Sequence, residues 1–199
     1  TVTGINDDVD DGNQASTVTL SVNDGSSDDD FDSLADQTVS VTTTDVDTAG
    51  LTISKEEVLV TEGGTEDTFT VALAAKPTSN VVIDVSSSDT GEATVSPVQL
   101  TFTPGNWNTA LDVVVPGIDD SAVDGHQSSV IPLAVVDALS AGEYDSVASG
   151  SVTATTTDND SAGMGTTPIS TSTAEGGTTT FTVVLNTQPS SDVVVSDIF

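Results

Sequence analysis

Between residues 51 and 157, apolar side chains fall on alternate positions in short runs cut by Gly, Pro, Asn and Ser. A period of two, with turn residues at the breaks, marks strands buried on one face. The pattern predicts seven strands. The first spans about 51–60 in two pieces, and the second about 67–75, with Phe69, Val71 and Leu73 on one face. The third covers about 80–87, with Val81, Ile83 and Val85 alternating, and the fourth about 97–103, carrying Leu100 and Phe102. Pro104-Gly105-Asn106 turns the chain. The fifth runs about 109–116 (Leu111, Val113, Val115), the sixth about 127–137 (Ile131, Leu133, Val135) and the seventh about 147–157. No segment shows the 3.6-residue period of an amphipathic helix. The expected fold is all-β, an antiparallel immunoglobulin-like sandwich.

The same punctuation returns at a fixed spacing. Gly4-Ile5-Asn6-Asp7-Asp8-Val9-Asp10-Asp11-Gly12 reappears as Gly117-Ile118-Asp119-Asp120-Ser121-Ala122-Val123-Asp124-Gly125. Thr44-Asp45-Val46-Asp47-Thr48-Ala49-Gly50 reappears as Thr157-Asp158-Asn159-Asp160-Ser161-Ala162-Gly163, and Glu62-Gly63-Gly64 as Glu175-Gly176-Gly177. The offset from Gly4 to Gly117 is the same in all three, and it shortens by one where Thr68-Phe69-Thr70-Val71 returns as Thr180-Phe181-Thr182-Val183. That period is too long for a solenoid and suits a sandwich domain. Residues 1–50 therefore read as the back part of one repeat, 51–163 as a complete repeat and 164–199 as the front of another. No signal peptide is visible at Thr1, so the chain reads as a mature protein or a piece of a longer one.

Composition changes the picture in one respect, charge. Of 199 residues, 32 are acidic and two, Lys55 and Lys76, are basic, giving a formal charge of −30. Binding to nucleic acid or to an anionic membrane through charge is excluded, because both need basic side chains. No apolar run approaches the roughly 20 residues that span a bilayer, so membrane insertion is not expected. Without cysteine there is no disulfide, zinc-thiolate or thiol chemistry. Val, Ile, Leu and Phe together still supply 51 residues, enough for a β core.

Strand parity sorts the acids. Strands that alternate up and down place the first–second, third–fourth and fifth–sixth loops, and the exit of the seventh strand, at one pole. Glu62, Glu66, Asp67, Asp89, Glu92, Asp119, Asp120, Asp124, Asp158 and Asp160 then share that pole. Asp137, Glu143, Asp145 and Lys76 take the other. Such a concentration of carboxylates opposes folding unless something neutralises it. Ca2+ takes six to eight oxygens in irregular loops, whereas Mg2+ demands an octahedron and transition metals want His or Cys. The loops are not EF-hands: counted from Asp7, Val9 and Val18 stand where that motif needs an oxygen ligand and a glutamate.

Four segments resemble the Calx-beta family, a calcium-binding sandwich module. They are Val60-Thr61-Glu62-Gly63-Gly64-Thr65, Phe102-Thr103-Pro104-Gly105-Asn106, Val115-Pro116-Gly117-Ile118-Asp119-Asp120, and Gly150-Ser151-Val152-Thr153 leading to Asp158-Asn159-Asp160-Ser161-Ala162-Gly163. The resemblance implies that Glu62, Asp119, Asp120, Asp158 and Asp160 are calcium ligands. Asp89 and Asp124 are added as loop candidates, with Glu92 beside them. The flanking parts keep fragments of the set: Asp7, Asp8, Asp11, Asp45 and Asp47 in the first, Glu175 in the last. The family's terminal run of three acids is here Asp-Asn-Asp, one charge short.

Other features imply less. His126 stands near Asp124 and several serines, but its counterpart in the preceding repeat is Asn13, so a lone loop histidine is expected rather than a catalytic triad. Paired carboxylates without an aromatic-lined cleft do not make a glycosidase. Threonine runs at 38–44 and 153–157 follow from strand propensity, and Trp107 should pack across the sandwich edge. The expected role is structural: an extracellular, cell-surface array projecting some other domain, with calcium ions at the joints. Its expected partners are neighbouring repeats and a surface protein or glycan target. Direct protein or glycan binding and calcium sensing are the alternatives; an enzyme has least support.

Overall fold

The computed structural model describes residues 1–167 and 174–196. Its centre is a two-sheet sandwich. The first strand is split, as the pattern predicts: β3 (Leu51–Ile53) and β4 (Glu57–Thr61) belong to different sheets. β3, β5 (Glu66–Leu73) and β8 (Leu111–Pro116) form a three-stranded sheet in the order β3-β5-β8. The facing sheet has the order β4-β10-β9-β6-β7, with β6 (Val81–Val85), β7 (Gln99–Phe102), β9 (Gln127–Val135) and β10 (Gly150–Thr157). The fold is an all-β, immunoglobulin-like sandwich. One pairing departs from the antiparallel expectation. β4 runs parallel to β10, from Thr153↔Glu57 to Thr157↔Thr61. The split allows this, because the chain crosses between sheets before Glu57 and then runs alongside the last strand in the same direction.

Alternation fills the core as read. Phe69, Val71 and Leu73 on β5, with Val113 and Val115 on β8, face Val81, Ile83 and Val85, Leu100 and Phe102, Ile131 and Leu133, and Val152 and Ala154; all are buried. Each large side chain contributes roughly 1.5–3 kcal/mol by leaving water. Tyr144 is fully buried in a short turn and its hydroxyl donates to Ala75 O at 2.5 Å. Trp107 packs half-buried against the same core.

The flanking segments copy parts of this geometry. β1 (Gln14–Leu20) pairs with β2 (Gln37–Thr43) from Gln14↔Thr43 to Leu20↔Gln37. Moved forward by one repeat, these are the β9–β10 pairs Gln127↔Thr156 and Leu133↔Gly150. β11 (Met164–Thr166) pairs with β12 (Val183–Leu185) as β3 does with β5. Leu20 is 59% exposed where its counterpart Leu133 is 0%. Among the described residues no second sheet covers β1 and β2, and no helix is long and apolar enough to cross a membrane.

Candidate metal centre

Four connections meet at one pole: the turn after β4, the β6–β7 loop, the β8–β9 loop and the segment leaving β10. Their backbones are stitched together. Glu62 N donates to Thr157 O at 3.2 Å, Ile118 N to Glu92 O at 2.8 Å, and Thr94 N to Pro116 O at 3.2 Å. Two glycines permit the approach. A Cβ on Gly117 would lie 2.5 Å from Thr61 O, and one on Gly63 2.7 Å from an Asp119 oxygen. Gly63 also has φ +54°, a conformation only glycine adopts freely.

This stitching gathers the acids into two trios sharing Asp120. Glu62, Asp120 and Asp160 each offer a carboxylate oxygen within 4.8 Å of the others, and so do Glu92, Asp120 and Asp124. Glu62 is 2% exposed. Burial raises its pKa, as do the charges of Asp158, Asp120 and Asp124, against the opposing hydrogen bond from Asn159 N. Glu92 is raised by burial and by Asp124, Asp89, Glu62 and Asp120. Asp160 is raised by burial and by Asp158, Asp119, Asp120 and Asp124. One oxygen each of Glu92 (Oε2) and Asp160 (Oδ2) is buried with no hydrogen-bond partner among the described residues. Lone pairs in that state, surrounded by like charge, fit a hard cation: a metal is the partner that would satisfy both the desolvation and the repulsion.

The remaining expected residues divide. Asp119 is at the pole, its Oδ1 accepting from Asn159 Nδ2 at 3.2 Å. Asp158 is there too, but both its oxygens already accept main-chain N–H groups, from Asp160 at 2.7 Å and Gly125 at 2.8 Å. The Asp160 bond leads in holding its pKa low. Asp89 lies exposed on the β6–β7 loop, its Oδ1 accepting from Gly91 N at 3.0 Å, outside both trios. Asp67, grouped with the pole by strand parity, is instead bound by Lys55 Nζ at 2.5 Å and lies against β4 through Leu59 N.

The first segment repeats the loop chemistry in part. Asp45 accepts from Gly12 N at 2.6 Å and Asp47 N at 2.8 Å, as Asp158 does from Gly125 and Asp160. Asp7, Asp11, Asp45 and Asp47 line a small cavity of about 300 Å³. Asp8 lies on the same loop with φ 65°. Among the described residues these form no close trio. Glu175 is exposed in a turn, beside Gly176 with φ +78°.

Two residues do more than the sequence reading gave them. Asn159 is a bridge: its Nδ2 donates to Glu62 O at 2.7 Å and to Asp119, and its N to Glu62 Oε2 at 3.3 Å. An aspartate there could not donate from its side chain. His126 is exposed and its Nδ1 accepts from Asp158 N at 3.3 Å, the task of Asn13 Oδ1 toward Asp45 N at 2.9 Å. The pairing of His126 with Asn13 in the sequence repeat was the available signal. A larger cleft of about 980 Å³ lies between the β8–β9 loop and residues 162–164 and 185–193. Its Leu185 and Val193 stand at the repeat positions of Leu73 and Val81, so its apolar lining is core sequence.

No protein-family model matches the chain, and no curated protein matches it. Among solved structures it is similar to the periplasmic chaperone SfaE, at 11% identity over 55% of this chain and 57% of that one, with TM-score 0.42. It is also similar to domains 4 and 5 of the S-layer protein SbsC (18%, covering 72% and 58%, TM-score 0.42). The apo form of the Calx CBD1 domain is a third (15%, covering 57% and 100%, TM-score 0.41). The chain spans little more than half the length of the chaperones it matches. These likenesses do not separate one sandwich family from another.

Proposed function

We propose that the acidic pole of residues 51–163 binds calcium, and that the chain is a stretch of tandem Calx-beta-like repeats from an extracellular surface protein. In this reading 51–163 is a complete repeat, with 1–50 and 164–199 parts of its neighbours. The observation that carries the calcium assignment is the convergence of two acid trios on Asp120, with buried carboxylate oxygens on Glu92 and Asp160 left without partners among the described residues. The donor set is all oxygen and irregular, which favours Ca2+ over Mg2+. Glu62, Glu92, Asp120, Asp124 and Asp160 would hold the ion, Asp119 would add charge, and Asp158 would keep the β8–β9 loop in place. Bound calcium supplies positive charge that cancels the repulsion and ties the exit of β10 to the body of its repeat, so binding free energy becomes folding free energy. The segment leaving β10 leads directly toward β11, and stiffening it stiffens the joint. The role is a spacer that holds another domain away from a surface.

Thermal unfolding in chelator, in Ca2+ and in Mg2+ at matched ionic strength tests this. Calcium at about 100 times its dissociation constant adds roughly 2.7 kcal/mol per site. A melting point raised several degrees by Ca2+ and little by Mg2+ is the expected result. Equal shifts with both ions would reduce the effect to screening and remove the ligand assignments.

A further inference from the structure

We infer that successive repeats are clasped main chain to main chain, the β8–β9 loop of one repeat accepting hydrogen bonds from the β5–β6 loop of the next. Lys76 N donates to Asp8 O at 2.6 Å, and Gln188 N donates to Ser121 O at 2.7 Å. The acceptors Asp8 and Ser121 are counterparts in the sequence repeat, and so are the donors Lys76 and Gln188, which follow the shorter offset found after the Gly-Gly pair. The linker between repeats is held in the same way at both joints: Ala74 N donates to Gly50 O and Asn186 N to Gly163 O, each at 2.9 Å. At the second joint Ala122 and Gln188 also form a parallel β-bridge.

The side chains at these positions do not match: lysine against glutamine on the donors, aspartate against serine on the acceptors. Only the backbone geometry is retained, so the recognition is carried by the backbone. Each donor precedes a proline, Pro77 or Pro189. A residue before proline is biased toward extended backbone, which suits both donors to the same local conformation. The same clasp at both joints gives the array one constant rotation from repeat to repeat. The first joint has a staple of its own: Ala49 N donates to Asp10 Oδ2 at 2.7 Å there, whereas Val123 stands in place of Asp10 in the second.

This inference rests on the tandem-array reading and not on calcium, so its test is run both in chelator and in saturating Ca2+. The chain has no cysteine, and paired nitroxide labels can be placed cleanly on the full chain. Labels at Thr19→Cys and Asp112→Cys span the first joint; labels at Gln99→Cys and Asp112→Cys lie within the central sandwich. The expected result is a narrow distance distribution across the joint, unchanged by Lys76→Ala. With Lys76→Pro, which removes the N–H, it should be roughly twofold wider, free hinging being the default between domains that share little interface. The within-sandwich pair should not change in either variant. If Lys76→Pro disturbs that pair, Gln188→Pro with labels at Asp112 and Thr179 gives the same reading at the second joint. A distribution still broad in the unsubstituted chain with calcium present would overturn the clasp, as would equal broadening by Lys76→Ala. Neither result would touch the calcium assignment, which is read from melting points.

Discussion

Glu62 is a carboxylate held almost entirely out of water beside other carboxylates, an arrangement costly to the ion-free protein. Glu62→Gln keeps the shape and removes the charge. Without calcium its melting point should rise above that of the unsubstituted chain; with calcium the stabilisation should shrink or vanish. A melt of each form in chelator and in Ca2+ checks both signs, and a calcium increment that survives intact would remove Glu62 from the site. Asn159 makes the complementary case. As one of three expected acids it looks like a lost charge, yet its amide joins Glu62 O to Asp119. Asn159→Asp should destabilise the ion-free protein by about 1–3 kcal/mol, since it deletes a donor and adds like charge; chemical denaturation in chelator measures this. Glu62 was legible in the sequence because Glu175 repeats it. The bridging role of Asn159 was not, because its counterpart is Val46 and nothing in a sequence says which way an amide donates.

Strand positions were readable because a sandwich strand must put every second side chain in the core, and β5, β6, β8 and β9 do so with Val, Ile, Leu and Phe. Strand partners were less readable. Alternation along β4 is the same whether it runs parallel or antiparallel to β10, so the pairing of Glu57–Thr61 with the last strand had no signature. The β6–β7 loop was opaque for another reason. It carries no period, and so Asp89 and Glu92 could not be told apart until Ile118 N was seen to hold Glu92 O against the β8–β9 loop. At this scale two substitutions probe how the elements lock. Gly117→Ala puts a methyl group against Thr61 O and should cost about 1–3 kcal/mol by overpacking, while reducing calcium affinity through the displaced loop. Tyr144→Phe deletes the hydroxyl that donates to Ala75 O and should cost about 1–3 kcal/mol by leaving that carbonyl unpaired with calcium affinity unchanged. Denaturation curves paired with calcium titrations separate the two.

For the whole molecule, the charge of −30 makes stability a function of pH. In the ion-free chain Glu62, Glu92 and Asp160 keep their protons to higher pH than an unfolded chain would. The folded state then binds more protons than the unfolded state just above the ordinary carboxylate range, and stability falls as pH rises through that window. Asp158 acts oppositely: hydrogen-bonded and shifted low, it stabilises at neutral pH and loses that contribution as pH falls through the range below an ordinary aspartate. In chelator the melting point should therefore be higher near about pH 5.5 than near about pH 8, and saturating calcium should reverse the order, because ligation requires deprotonated carboxylates. The parallel contact of β4 with β10 has a mechanical meaning as well. Tension applied between the chain entering β4 and the chain leaving β10 pulls these strands past each other lengthwise, and the pairs from Thr153↔Glu57 to Thr157↔Thr61 share the load instead of opening one after another. A sandwich built this way resists stretching where an antiparallel terminal pair would unzip, and single-molecule pulling on the full chain should show the central sandwich yielding at high force.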